Sequence, residues 1–404
     1  MNTKLLIQKE LMQMKMSKLI VVLISISLSS CLNSELEISK ERENKLVTDA
    51  YAKRPLKDKE YIVSTNIDTA IQSFTTVALT KYLKQYNADY GTVVIMETKT
   101  GKIRSMVNLE KNDSGEYVTG TKYAIYDHLE PASFIKTFDM MALLEDQKAD
   151  TSTVYSSHNG EVSFYGKIIR DSHKGGHGDI SLGKALIYSS NTIFAQAIDQ
   201  GYSKKPVEFT SKFKTYKLGE DLDLPFDNAS NSLIPQPKSQ YWSSISLPWI
   251  AYGYGLVLSP IEILTYYNAI ANNGEAVKPL FVNEIKNNQG QSKRFEKKVL
   301  KTKICSDTTI LKIQDLLRKV VTSGTGSNAK SDKIQISGKT ASIQINYGIE
   351  GSRGQFASGF VGYFPSEKPK YSIITIISNP KVDKSNYGVD LAGIVVREIG
   401  EHAK

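Results

Sequence analysis

The order of strand-like and helix-like segments constrains this 404-residue chain more than any single residue does. A helical pattern through Ala70, Ile71, Phe74, Val77, Ala78 and Leu83 leads into a buried strand, Thr92-Val93-Val94-Ile95-Met96. Thr98-Lys99-Thr100-Gly101 then turns the chain into a second strand, 103–107, completing a hairpin. From about 130 to 275 the pattern is mostly helical, with candidate helices at 133–144, 182–188, 192–198 and 260–272 and a proline-rich loop at 219–248. After a helix at 310–321, strands return at 333–343, 356–364 and 371–378, and a helix at 391–399 closes the chain. Strands, helices, strands and a last helix imply an α+β fold, with one antiparallel sheet built from both chain ends and packed against a mostly helical subdomain.

The N-terminus is expected to be an export signal. Lys15 and Lys18 precede an apolar run at 19–28, about half the length of a membrane-spanning helix, and Ser29, Ser30 and Cys31 follow it. Leu28-Ser29-Ser30-Cys31 resembles a bacterial lipobox, which makes Cys31 the expected lipidated residue and anchor. Residues 1–31 are thus read as signal, 32–60, rich in Lys, Glu, Asn and Asp, as a solvated tether, and 61–404 as the working domain.

Composition argues chiefly by exclusion. The net charge of +9 is dispersed along the chain, which speaks against a nucleic-acid footprint and suits an anionic lipid or wall surface. The five histidines and two cysteines show no metal-ligand spacing, so neither a metal nor another cofactor is expected. With Cys31 lipidated, Cys305 has no disulfide partner.

Three short patterns carry the chemistry: Ser133-Phe134-Ile135-Lys136, Ser189-Ser190-Asn191 and Lys339-Thr340-Ala341. Ser-x-x-Lys alone is noise, since further tetrads start at Ser181, Ser211, Ser327 and Ser378. Context separates the first: Glu130-Pro131-Ala132 precedes Ser133, which opens the most apolar helix candidate of the mature chain. The spacing puts Ser133 and Lys136 on one face, and a lysine in so apolar a segment must pair or lose its proton. A neutral amine beside a hydroxyl is what serine activation needs. By contrast, Ser211-Lys212-Phe213-Lys214 lies in a basic stretch and reads as exposed. Ser189 to Asn191 reads equally as a helix cap, and Lys339 as an edge-strand lysine.

Together and in this order the patterns resemble the penicillin-recognising serine acyltransferases, and specifically the class B penicillin-binding transpeptidases of division and elongation. Leu129 to Lys136 is similar to that family's E-P-G-S-x-x-K, Ala185 to Asn191 to A-L-x-x-S-S-N, and Gly253 to Pro260 to G-x-G-x-x-x-[ST]-P. Gly338 to Gln344 resembles G-K-T-G-T-A-Q, and 358–365 the strand after it. The resemblance implies that Ser133 attacks a D-Ala-D-Ala stem peptide and forms an acyl-enzyme, with Lys136 taking its proton. It further implies that Ser189 relays a proton, Asn191 holds Lys136 and the substrate amide, and Lys339 supplies positive potential. Thr340 would bind the substrate carboxylate, and the N–H groups of Ser133 and Ser342 would form the oxyanion hole. β-Lactams are the implied inhibitors, peptidoglycan stem peptides the implied partners, and the outer face of the bacterial cytoplasmic membrane the implied location.

Two departures stand out: Ala341 stands where the motif has glycine and could narrow the pocket, and the chain is expected to have no room for the family's N-terminal pedestal and to carry a lipid anchor in place of its membrane helix. The alternatives are a serine β-lactamase or D,D-carboxypeptidase, which would pass the acyl group to water, and a non-catalytic wall scaffold or sensor.

Overall fold

The computed structural model describes residues 36–52, 58–226, 229, 232–345, 355–382 and 391–403. The export-signal segment and Cys31 lie outside the described residues.

The chain divides into two compact units, one of residues 1–65 with 282–296, the other of 66–281 with 297–404. The smaller unit corrects the expected tether. Ser39 caps a helix, Lys40–Ala50, by accepting from the Arg42 N–H, and that helix buries Leu46 and Val47. Beside it, strands Tyr61–Thr65, Val282–Asn287 and Ser292–Arg294 form an antiparallel sheet. Lys293 reaches the buried Glu43 carboxylate at 2.6 Å. The charged composition hid a short apolar stripe, and one partner of the helix, Lys293, comes from more than 200 residues downstream. For the same reason 282–296 belongs here and not with the rest of 61–404.

The larger unit is built on one six-stranded sheet. Its strands are β1 (Tyr90–Glu97), β2 (Ile103–Lys111), β3 (Tyr117–Thr119), β4 (Ser337–Gln344), β5 (Phe356–Phe364) and β6 (Tyr371–Ser378), in the spatial order β4-β5-β6-β1-β2-β3. All pairs are antiparallel, and the two chain ends meet where β6 pairs with β1, from Tyr371 opposite Glu97 to Ser378 opposite Tyr90. Its longer helices are α1 (Thr69–Gln85), α2 (Lys136–Glu145), α3 (Leu182–Tyr188), α4 (Asn191–Tyr202), α5 (Pro206–Thr215), α6 (Pro260–Ala271), α7 (Asp307–Ser323) and α8 (Leu391–His402).

Strand alternation explains the layering. Val93, Ile95, Ile373 and Ile377 join Leu79, Leu83, Val395 and Ile399 in one core, so α1 and α8 cover that face. Val94, Met96, Ile374 and Ile376 point the other way and are equally buried, on the side where α6 packs against β5 and β6. A strand buried on both faces reads as a continuous apolar run, as Ile373-Ile374-Thr375-Ile376-Ile377 does. Every residue of α6 is buried, and a capping box between Ser259 and Glu262 starts it.

Two details of the middle segment differ from expectation. Short antiparallel pairs interrupt the helices, Val154–Ser156 with Asp179–Ser181 and Glu161–Phe164 with Lys167–Arg170. The second is a hairpin closed by Tyr165 and Gly166, both at positive φ (49° and 77°), the geometry of a two-residue turn. The stretch at Ser211 is not simply exposed. It lies in α5, which turns Phe209 and Phe213 inward four residues apart while Lys212 pairs with Asp146.

Candidate active site

The segment read as one helix from 133 is two pieces, a 3-10 turn over Ala132–Phe134 and then α2. The turn is held from three sides. Ala132 sits at φ 46° and its N–H donates to the Gly253 carbonyl at 3.0 Å. Gly253 is at φ +92°, and a side chain there would meet the Ala132 oxygen at 2.0 Å. Behind Ser133, the Phe134 ring fills the space left by Gly359, whose missing Cβ would lie 2.7 Å from it, and the Tyr267 hydroxyl donates to the Phe134 carbonyl at 2.9 Å. Ser133 itself is half-buried. The N–H groups of Ala132, Phe134 and Ile135 are each bonded to a carbonyl, whereas among the described residues the Ser133 N–H meets no backbone acceptor.

Lys136 is fully buried and its Nζ is the hub of the site. It lies 2.9 Å from Ser133 Oγ, 2.7 Å from the Ser189 carbonyl, 3.2 Å from Ser189 Oγ and 2.6 Å from Asn191 Oδ1. Burial pushes the amine down to about 7, while the Asp171 and Asp139 carboxylates pull it up. Two of the four neighbours, a carbonyl and an amide oxygen, can only accept. The neutral amine has two N–H groups for them, which leaves its lone pair facing the Ser133 hydroxyl.

A kink between two helices presents Ser189 and Asn191. Ser189 ends α3 in the left-handed region at φ 61°, and Ser190 at once caps α4 by accepting from the Ile193 N–H. Asp171 anchors this kink: its carboxylate accepts from the N–H groups of Asn191 and Thr192 at 2.5 and 3.0 Å and from the hydroxyls of Ser190 and Thr192. A carboxylate at a helix N-terminus is favoured by the unpaired N–H groups there. The Asn191 amide is oriented because its Nδ2 donates to the Arg170 carbonyl at 2.7 Å, which turns Oδ1 to Lys136.

β4 supplies the third side. It is an edge strand, as a gatekeeper lysine would require, yet Lys339 is fully buried and donates to Ser189 Oγ at 2.9 Å. Ser189 Oγ therefore lies between two amines. Thr340 is 9% exposed with its hydroxyl 2.7 Å from that of Thr325, and Ser342 is exposed. Ala341 does not behave as a methyl projecting into the cleft. It is 5% exposed and directly opposite Gly359, on the face where Phe134 packs. A cavity of about 360 Å³ opens beside the nucleophile segment, lined in part by Leu129, Glu130, Val257, Ile343 and Gln344.

The structure thus joins Ser133, Lys136, Ser189, Asn191 and Lys339 in one hydrogen-bonded cluster, while Thr340 meets Thr325 and Ser342 stands exposed on the same strand. With this geometry in place, comparison with known proteins decides the family: residues 91–401 match the model of the penicillin binding protein transpeptidase domain. The chain belongs to this family. Among relatives of this transpeptidase domain, a peptidoglycan D,D-transpeptidase FtsI homolog from Mesostigma viride is 26% identical, covering 88% of this chain and 63% of the relative. Stage V sporulation protein D of Bacillus subtilis is 23% identical, covering 78% and 49%. The chain therefore spans less than two thirds of these relatives' length. The transpeptidase domain of penicillin-binding protein 3 from Burkholderia pseudomallei has the same fold, with a TM-score of 0.69 at 23% identity over 83% of this chain and 94% of that one. So does penicillin-binding protein 3 of Mycobacterium tuberculosis in complex with aztreonam, at 0.72 and 20% identity over 84% and 78%.

Residues without a sequence signal also belong to this cluster. Asp171 lies in a Gly-, His- and Lys-rich loop, and nothing local marks it as the anchor of a kink 20 residues on. Thr325 comes from the turn after α7, where Gly324 passes so close to α3 that a side chain would meet the Ile187 carbonyl at 2.4 Å. Thr325 donates its N–H to that same carbonyl and its side chain reaches β4. Among the described residues there is no group of three His, Cys, Asp or Glu arranged to hold a metal.

Proposed function

We propose that this chain is a peptidoglycan D,D-transpeptidase that forms an acyl-enzyme on Ser133 and is acylated there by penicillins. The observation that carries the reading is the position of Lys136 Nζ, at hydrogen-bond distance from Ser133 Oγ and held by two acceptors that use up its N–H groups. In the forward step Lys136 takes the Ser133 proton as Oγ bonds to the penultimate D-alanine carbonyl carbon. The N–H groups of Ser133 and Ser342 receive the oxygen's negative charge. As the C–N bond breaks, the proton passes from Lys136 through the Ser189 hydroxyl to the departing D-alanine amine. Lys339, beside Ser189 Oγ, favours donation from that hydroxyl and keeps the site attractive to a carboxylate. Thr340 and Thr325 present two hydroxyls to the terminal carboxylate. The edge of β4, unpaired among the described residues, suits a stem peptide laid alongside as an added strand. An amine from a second stem then attacks the acyl-enzyme, giving its proton to Lys136 and releasing Ser133.

Labelled penicillin separates the transferase from the hydrolase. A transpeptidase holds the label for many minutes and forms a cross-link when given a D-Ala-D-Ala donor and an amine. Rapid loss of the label with multiple turnovers would instead identify a β-lactamase, and release of D-alanine without cross-links a carboxypeptidase.

The lipobox-like Leu28 to Cys31 supports export and a lipid anchor on the outer face of the cytoplasmic membrane. In cell fractions, Cys31→Ser protein is expected to leave the membrane pellet; if it stays there in full, Cys31 is not the anchor.

A further inference from the structure

Asp139 is a buried carboxyl that the fold does not use. It is fully buried in α2, three residues after Lys136, so the two side chains leave the same helix face a turn apart. Among the described residues neither of its oxygens has a hydrogen-bond partner. Most polar groups packed nearby are committed elsewhere. Tyr202 donates to the Ala142 carbonyl and Asp146, each at 2.9 Å, while the Tyr267 hydroxyl pairs with Thr137 and the Phe134 carbonyl and Tyr266 reaches the Met141 sulfur. Tyr216, also buried beneath α2, has no hydrogen-bond partner for its hydroxyl among the described residues, and the carboxylates acting on it are Glu145 and Asp146, not Asp139. The other acid acting on Lys136, Asp171, holds the start of α4. Leaving a carboxyl buried without partners is costly, and an apolar residue would pack there more favourably. What Asp139 offers is charge, and the amine it couples to is that of Lys136.

We propose that Asp139 is a positioning residue for proton transfer, its carboxyl setting how tightly Lys136 holds the proton taken from Ser133. Burial drives the Asp139 carboxyl well above the usual carboxylate range, with Lys136 pulling it back. The same coupling props the Lys136 amine up against its own burial. The two groups titrate as a pair. Asp139 gives up no proton during the step: when its carboxyl is ionised, that fixed charge stabilises the Lys136 ammonium until the Ser133 proton moves on through Ser189, and when it is protonated Lys136 holds that proton less tightly. This role deepens the acyl-transfer reading and rests on it.

The test is an NMR titration of the Lys136 side chain in 15N-lysine-labelled protein, the signal identified by its loss in Lys136→Ala. It is run on wild type and Asp139→Asn beside the pH dependence of acylation by a labelled penicillin. In Asp139→Asn the Lys136 midpoint is expected to fall by about one pH unit, and the acid limb of acylation to fall with it. An unmoved or raised midpoint overturns the proposal. So does a variant that melts lower with its midpoint unchanged, which would make Asp139 purely structural. Asp139→Leu, which keeps the branched shape without a polar group, gives the same reading if the asparagine variant does not fold. The midpoint reports on Lys136 whether or not Ser133 reacts, so a chain that never becomes acylated sinks the transpeptidase reading alone.

Discussion

Lys136→Met is expected to fold and to lose acylation at Ser133 by about 10²- to 10⁴-fold, the range a positioned general base contributes. Methionine keeps the unbranched shape and most of the volume but has no basic nitrogen. It leaves the Ser189 carbonyl and Asn191 Oδ1 without the donor they now share. Lys136→Arg is the sharper variant, because a guanidinium keeps the positive charge but does not give up its proton in a protein. Were charge alone needed, arginine would rescue; as a base it fails with methionine. The sign of the pH dependence follows from the same amine. Burial lowers Lys136 to about 7, so the reactive neutral form grows as pH rises through that value. Wild-type acylation is expected to climb with pH to a half-maximum near neutrality, and the climb is expected to vanish in Lys136→Met. Stopped-flow acylation across pH measures both. An arginine variant with wild-type rate and profile would rule out the general-base role.

The second large effect comes from a residue that touches no substrate. Gly253→Ala puts a methyl 2.0 Å from the Ala132 oxygen at a backbone angle of +92°, so strain and collision act together. Crowding and a positive φ together cost about 2–5 kcal/mol. Relief comes from moving the 132–134 turn, which carries the nucleophile and whose Ala132 N–H bonds to the Gly253 carbonyl. A displacement of even ~1 Å at a reacting atom costs about 10²-fold in rate. Urea denaturation and acylation of the folded fraction are therefore expected to fall together. A variant with wild-type stability and acylation would show that this close approach does not position Ser133.

Much of this site was legible because local physics and chemistry agreed there. An apolar helix with a serine at its start and a lysine three residues on is anomalous in itself, and the structure places both where the anomaly makes sense. The sheet was legible too, since strands buried on both faces leave unmistakable runs such as 371–378. Other features depend on partners far away in sequence. Asp171 gains its meaning only when α4 starts beside it, and Thr325 only when β4 passes within reach. The helix at Lys40–Ala50 lay beneath a composition dominated by charge, where two apolar residues, Leu46 and Val47, say little by themselves. Asp139 was the least visible: in an apolar run it reads as one tolerated polar residue, and only its burial without partners gives it weight.

The proposed chemistry turns on one covalent bond between Ser133 Oγ and a substrate acyl group, with Lys136 as the base. Intact-mass spectrometry after penicillin exposure, followed by peptide mapping, tests it most directly. The prediction is a single adduct of one penicillin mass on the peptide containing Ser133, absent from Ser133→Ala. No adduct on wild type, or an adduct that persists in Ser133→Ala, would contradict it.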